Sequence, residues 1–197
     1  MGRSNVNHPK KNQNITVQPI RDLKAIRRIK RHLQDKPRDL LLFTLGINNG
    51  LRIGDLLRLK VGDVKDLQPG ETFRIIEEKT GKPNILMINK EVRRVLAVYL
   101  DALKPDDEHF LFKSRKGENR ALDRSYVNSL VKKWTKDMKG NYGTHSLRKT
   151  FGYIQRKEFG VGFEVLCKRF NHSNPSVTMR YLGIQDREVN GILLNEI

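Results

Sequence analysis

Apolar residues recur every three to four positions from about Gln18 onward: Ile20, Leu23, Ile26, Ile29 and Leu33, with Arg and Lys between them. That spacing predicts a first amphipathic helix. Pro37 suits a first helical turn and introduces a second helix over Arg38 to Asn48, whose run LLLFTLGI is apolar on every side and so is expected to be buried. Asn49 and Gly50 end it, and a short third helix over Ile53 to Leu59 follows. From Val61 to Ile88 the period falls to two. Thr72 to Glu77 and Asn84 to Ile88 read as strands joined by KTGKP, with Gly81 and Pro83 at the turn. With VGDV at 61–64 ahead of them, a small three-stranded antiparallel sheet is expected. Asn89 caps a helix to about Leu103 with Val92, Val95, Leu96 and Tyr99 on its apolar face. FLF at 110–112 is a brief buried segment. Tyr126, Leu130 and Trp134 then form the stripe of a further helix. Thr144 is the expected cap of a helix to about Lys157, the turn at Gly160 to Gly162 leads to one ending near Asn171, and Pro175 starts another. Past Tyr181, Val189, Ile192, Leu193 and Ile197 make a last apolar stripe. The expected fold class is mainly α with a small antiparallel sheet, α+β, without internal repeats.

Composition adds a partner to this picture. The chain has 197 residues, 37% hydrophobic, which suits one domain over 16–197 behind a polar, basic arm over 1–15. Its formal charge is +17 and its pI about 10.2, an excess that attracts polyanions, so nucleic acid is the leading partner. Residues 113–139 hold nine Lys or Arg against three Asp or Glu. Lys113, Arg115, Lys116, Arg120, Arg124, Lys132 and Lys133 are candidate contacts to a DNA backbone, with Lys82 and Lys149 outside the run. A charged, solvated face is the alternative reading of the same residues. No apolar run reaches membrane-spanning length and the N-terminus lacks a signal peptide's apolar core, so a cytoplasmic protein is expected. One cysteine, Cys167, excludes an internal disulfide and sits in the apolar run FEVLC as a core residue. The five histidines are scattered, without a ligand pattern, and neither metal nor other cofactor is expected.

The chemistry concentrates between Thr144 and Tyr181. His145 and Arg148 share a helix face at a spacing of three and could grip one phosphate; His172 and Tyr181 follow. Four segments then occur in order: GLRIGDLLRLKVGDV at 50–64, EEKTGKP at 77–83, THSLRKTFG at 144–152 and NHSNPSVTMRYL at 171–182. Together they resemble the catalytic domain of the tyrosine recombinases, or phage integrases, over roughly residues 16–197. The resemblance implies six catalytic positions: Arg52, the hairpin lysine Lys79, the pair His145 and Arg148, His172, and the nucleophile Tyr181. Asp55 stands where the family commonly has Glu and is implied to orient Arg52 or close its helix. Asn171 stands where Gly often precedes the histidine, which leaves the backbone of that turn undefined. The family's helical core-binding domain has no counterpart in the sequence, so a fragment or a minimal recombinase is expected. The resemblance also implies double-stranded DNA as partner and DNA-dependent homo-oligomers, tetramers on paired sites, joined through the C-terminal tail.

The residue types suit phosphodiester chemistry on their own terms. Charge on the phosphate oxygens grows as a pentacovalent transition state forms, and two arginines can each donate paired hydrogen bonds to them. A tyrosine with a pKa of about 10 is only about one part in a thousand ionised at pH 7, so it needs nearby cations and a base such as His145. Lys79 could protonate the leaving 5′ oxygen. The product would be a 3′-phosphotyrosyl link, formed without metal or ATP. Two other readings stay open: a non-catalytic DNA-binding accessory protein of the same fold, and a type IB topoisomerase-like relaxing activity. The recombinase reading requires His145, Arg148 and His172 to converge with Arg52 on one pocket, with Tyr181 free to stand away from it.

Overall fold

The computed structural model describes residues 16–183, 191–194 and 196. The basic arm at 1–15, Val189, Ile197 and the side chain of Ile192 lie outside the described residues.

The first helix, α1 (Leu23–His32), starts later than the periodicity predicts. Asp22 is the reason: its carboxylate accepts from the N–H groups of Lys24 and Ala25 and caps the helix there. The preceding residues run extended instead. Gln18 N–H donates to Asn141 O at 2.8 Å and Ile20 N–H to Thr150 Oγ1 at 2.8 Å, tying the start of the domain to its C-terminal half.

The core is organised around α2 (Pro37–Asn49), in which every residue from Leu40 to Gly46 is buried. A helix apolar all round must be covered on several sides. It packs on α4 (Lys90–Leu103) and on α6 (Thr144–Phe159), and Trp134 of α5 (Arg124–Trp134) meets Phe43 edge-on at 5.8 Å. The buried face of α5 is Val127, Leu130, Val131 and Trp134, one position round from the expected stripe, so Tyr126 is 40% exposed. Asn89 caps α4 as expected by accepting from Val92 N–H. The α6 cap is Gly143, whose N–H donates to Ser146 Oγ, one residue before the expected Thr144.

The sheet has two strands, not three. β1 (Thr72–Ile76) and β2 (Pro83–Met87) pair antiparallel, with Thr72 opposite Met87 and Ile76 opposite Pro83. VGDV does not join them. Asp63 accepts from Lys60 N–H, Val64 N–H donates back to Val61 O, and Val61 and Val64 are both buried at a spacing of three, which makes the segment a turn.

Between α2 and the sheet lies the short α3 (Ile53–Leu57). Beyond α6, α7 (Phe163–Arg169) and α8 (Pro175–Leu182) form a second small core from Leu166, Phe170 and Leu182, with Phe151 and Tyr181 against it. Gly152 allows this approach: a Cβ there would lie 2.7 Å from the Phe170 ring and 2.8 Å from Leu182. A 3-10 turn over Gly191–Leu194 follows, with Leu193 80% and Leu194 85% exposed. Among the described residues, no helix is long and apolar enough to cross a membrane.

Candidate active site

Arg52 is the N-cap of α3, with extended backbone, in the sharp junction after α2. Gly50 makes that junction possible, holding φ at +60° where an L side chain is strained. The Arg52 guanidinium meets Glu77 Oε2 at 2.5 Å. Glu77 is fully buried and also accepts from Thr80 Oγ1 at 2.6 Å and Asn84 Nδ2 at 2.8 Å. Burial alone would push its carboxyl up, but the hydrogen bonds from Thr80 and Asn84 and the close Arg52 guanidinium outweigh it and hold it low.

Glu77, not Asp55, is therefore the partner that orients Arg52. Asp55 accepts from Arg58 Nη2 at 3.1 Å and from Glu78 N–H at 2.9 Å, and among the described residues no bond joins it to the Arg52 side chain. Its work is to fasten the base of the hairpin turn to α3. Arg58 adds a bond to Ile76 O, and Arg124 pairs with Glu78. Lys79 projects from this anchored turn, exposed and without a bonding partner among the described residues.

Arg148 comes from the opposite side, on α6, and is 2% exposed. Nη1 donates to Gly50 O at 2.8 Å and Nη2 to Phe170 O at 2.7 Å, and the guanidinium lies 4.7 Å from the centre of the Phe170 ring. Two of its five N–H donors thus lock the side chain to both flanking segments and leave the others for a ligand. Desolvation brings its pKa down to about 10, so it stays charged at neutral pH. His145, one turn before it, is exposed. Partial desolvation and the charges of Arg148, Lys79, Arg52 and Lys149 lower its pKa, favouring the neutral base.

His172 sits in the turn between α7 and α8. Asn171 shapes that turn with φ at +53°, in the left-handed region where asparagine is tolerated, which resolves the backbone conformation that the sequence leaves open. Cys167, buried as expected, holds the same turn: its carbonyl accepts from His172 N–H and its thiol donates to His172 O. His172 Nδ1 lies 3.0 Å from Thr178 Oγ1. Desolvation first, then the charges of Arg148 and Arg52, push its pKa down to about 4, so it is neutral at pH 7.

Tyr181 does not stand away. Its ring packs edge-on against Phe170 at 5.7 Å and His172 at 5.2 Å, and its hydroxyl is closed off from solvent without a well-directed hydrogen bond. Burial pushes the phenol up to about 12, opposed by the nearby positive charges of Arg148 and Arg52. Arg52, Arg148, His172 and Tyr181 are thus gathered within reach of one another's charge, and exposed His145 feels Arg52, Arg148 and Lys79 from the same group.

The proposed DNA contacts divide. Lys82, Arg115, Lys116, Arg120, Lys132 and Lys133 are exposed; Lys113 is half-buried, with Nζ 3.1 Å from His109 Nε2, and exposed Arg124 is engaged by Glu78. Lys149 is 5% exposed beneath Tyr181, too deep to meet a duplex from this surface. Two residues escaped the sequence reading. Glu77 continues the inward phase of Phe73 and Ile75 in β1, a period-two signal that could have found it. Arg169 staples α7 to Asn49 O, Asn84 Oδ1 and Ile85 O, a role with no local sequence signal.

The chain is similar to known proteins in sequence and in fold. A model of the Phage integrase family matches residues 12–188. A probable integrase/recombinase, YoeC, of Bacillus subtilis is 36% identical over 174 residues, covering 86% of this chain and 91% of its own. The tyrosine recombinase XerA of Pyrococcus horikoshii is 28% identical over 156 residues, covering 79% of this chain but 53% of that one. The fold matches a crystal structure of XerA recombinase with a TM-score of 0.74 at 23% identity, over 91% of this chain and 67% of that one. It also matches XerH bound to a palindromic difH substrate after cleavage, with a TM-score of 0.70 at 18% identity, over 91% and 52%.

Proposed function

Because the chain belongs to the phage integrase family, we propose that it is a site-specific recombinase that cuts and rejoins double-stranded DNA through a covalent bond to Tyr181. The observation that carries this reading is the tyrosine hydroxyl held in a pocket beside two oriented arginines. A phosphodiester entering there would take the remaining N–H donors of Arg148 and those of Arg52 on its non-bridging oxygens. Neutral His172, whose Nδ1 lies 3.0 Å from Thr178 Oγ1, adds a third donor through Nε2 in the tautomer in which Thr178 donates to Nδ1.

Tyr181 Oη then attacks phosphorus as its proton passes to His145. The bond from phosphorus to the 5′ oxygen breaks, and Lys79 gives that oxygen its proton. A 3′-phosphotyrosyl link and a 5′-hydroxyl result, and a 5′-hydroxyl from a partner strand reverses the steps. One phosphoester replaces another, so resealing draws on no external energy source.

The exposed cations of residues 82 and 113–133 would hold the duplex, and Leu193 and Leu194, uncovered by their own chain, suit docking on a second copy in a DNA-bound tetramer. Deleting residues 190–197 should abolish DNA-dependent assembly and leave the melting temperature unchanged; unchanged assembly would sink the exchange. The chain spans nearly all of the Bacillus relative and about half of XerA.

The test uses nicked suicide substrates built on sites that the protein itself selects from a random DNA pool. A covalent adduct that disappears in Tyr181→Phe is expected. DNA binding with no adduct under any condition would make the protein a binding module of the same fold.

A further inference from the structure

Two basic side chains are buried among the described residues, Arg148 and Lys149. Arg148 is answered by two carbonyls. Lys149 is not: at 5% exposure its Nζ has no hydrogen bond and no carboxylate among the described residues, and burial lowers its pKa. What it does face is Tyr181, with Nζ 4.9 Å from the ring centre. It also lines a cavity of about 470 Å³ whose walls include Arg21 and Arg180, further cations, and no carboxylate among the described residues. The lysine stem is buried and its charge borders this cavity without a carboxylate beside it, where methionine would fill similar space without the charge.

The tyrosine has the complementary problem. Its hydroxyl is buried without a directed partner, and its anion is disfavoured by the same desolvation. It is faced by Arg148 and Lys149 from α6, by Arg52 from the start of α3 and by His172 from the turn before α8, and the carboxylate of Glu77 pairs with Arg52. Once a phosphodiester is bound, Arg52 and Arg148 direct their charge to its oxygens. Lys149, over the ring, keeps its charge for the phenolate.

Resting on the recombinase reading, we propose that Lys149 is a positioning residue for the nucleophile: its ammonium holds the Tyr181 ring in the pocket and stabilises the phenolate as attack begins. A cation–π contact of this kind holds the neutral ring and strengthens when the ring becomes an anion. Burial of the lysine with no carboxylate beside it among the described residues then has a reason, because the phenolate it answers exists only during the reaction.

Two measurements test this on the full chain. A fluorotyrosine with an acidified phenol, placed at position 181, is titrated by 19F NMR without DNA. In Lys149→Met, or Lys149→Gln should the first not fold, position 181 should titrate about one pH unit higher, tenfold less phenolate at a given pH. Lys149→Arg should restore it. On suicide substrates, with native Tyr181, Lys149→Met should slow adduct formation about tenfold at neutral pH and recover as pH rises. A folded, uncharged variant that titrates like the parent overturns the proposal, as does an arginine variant as slow as methionine. If the parent forms no adduct yet the titration shift is present, the recombinase reading fails and the coupling stands; an adduct without the shift removes the coupling alone.

Discussion

At the residue scale, Glu77 decides how well Arg52 is aimed. Glu77→Gln keeps hydrogen-bonding capacity toward Thr80 and Asn84 but removes the charge that fixes the guanidinium. Misplacing a phosphate ligand by about 1 Å costs on the order of a hundredfold. Single-turnover adduct formation should fall by about that factor, with DNA affinity little changed. His172 supplies the pH signature. Its folded pKa, about 4, lies below its ordinary value near 6.5, so the unfolded chain binds more protons between the two. Stability should therefore decline as pH falls from about 6.5 to 4 and gain no further penalty from this group below that. Thermal melts across this window should show a shallower decline in His172→Asn. Glu77, with its carboxyl held low, stabilises the fold above the ordinary carboxylate range and loses that contribution as pH falls through its lowered value. The six catalytic candidates were readable because their types and order form a pattern. Glu77 was not read, because a glutamate beside an exposed hairpin looks like a surface charge until the strand's phase is followed one step further.

At the element scale, the sequence located each of the eight α-helices among the described residues and misjudged where some begin. Those errors have local causes: Asp22 offers a cap two residues after Ile20, the first apolar position, and Asp63 folds VGDV back on itself. The turn carrying His172 is the element most exposed to mutation. Asn171 holds φ at +53°, and its side chain reaches Pro83 O at 3.4 Å, a marginal bond to the hairpin. Asn171→Gly should therefore fold with stability within about 1 kcal/mol of the parent, since glycine adopts this conformation freely. Asn171→Val places a β-branched residue in the left-handed region and should cost roughly 1–3 kcal/mol in urea denaturation. Adduct formation should be slowed in the valine variant beyond its loss of stability, because His172 moves with the backbone.

At the scale of the whole molecule, charge was legible from composition and its placement was not. The net +17 says that a polyanion is the partner, but it cannot say that Lys149 is internal while Lys132 and Lys133 lie on the outer face of α5. Salt titration separates these cases. Each phosphate neutralised by a surface cation releases counter-ions and steepens the dependence of log affinity on log salt by about 0.9 for duplex DNA. Replacing Lys132 and Lys133 together by alanine should flatten that slope by up to about 2 if both reach phosphates. Lys149→Met should leave the slope unchanged, since a side chain under Tyr181 displaces no counter-ion. A flattened slope in Lys149→Met would mean that α8 lifts away on binding and exposes the lysine to the duplex, which would turn the resting pocket into a closed form that DNA must open.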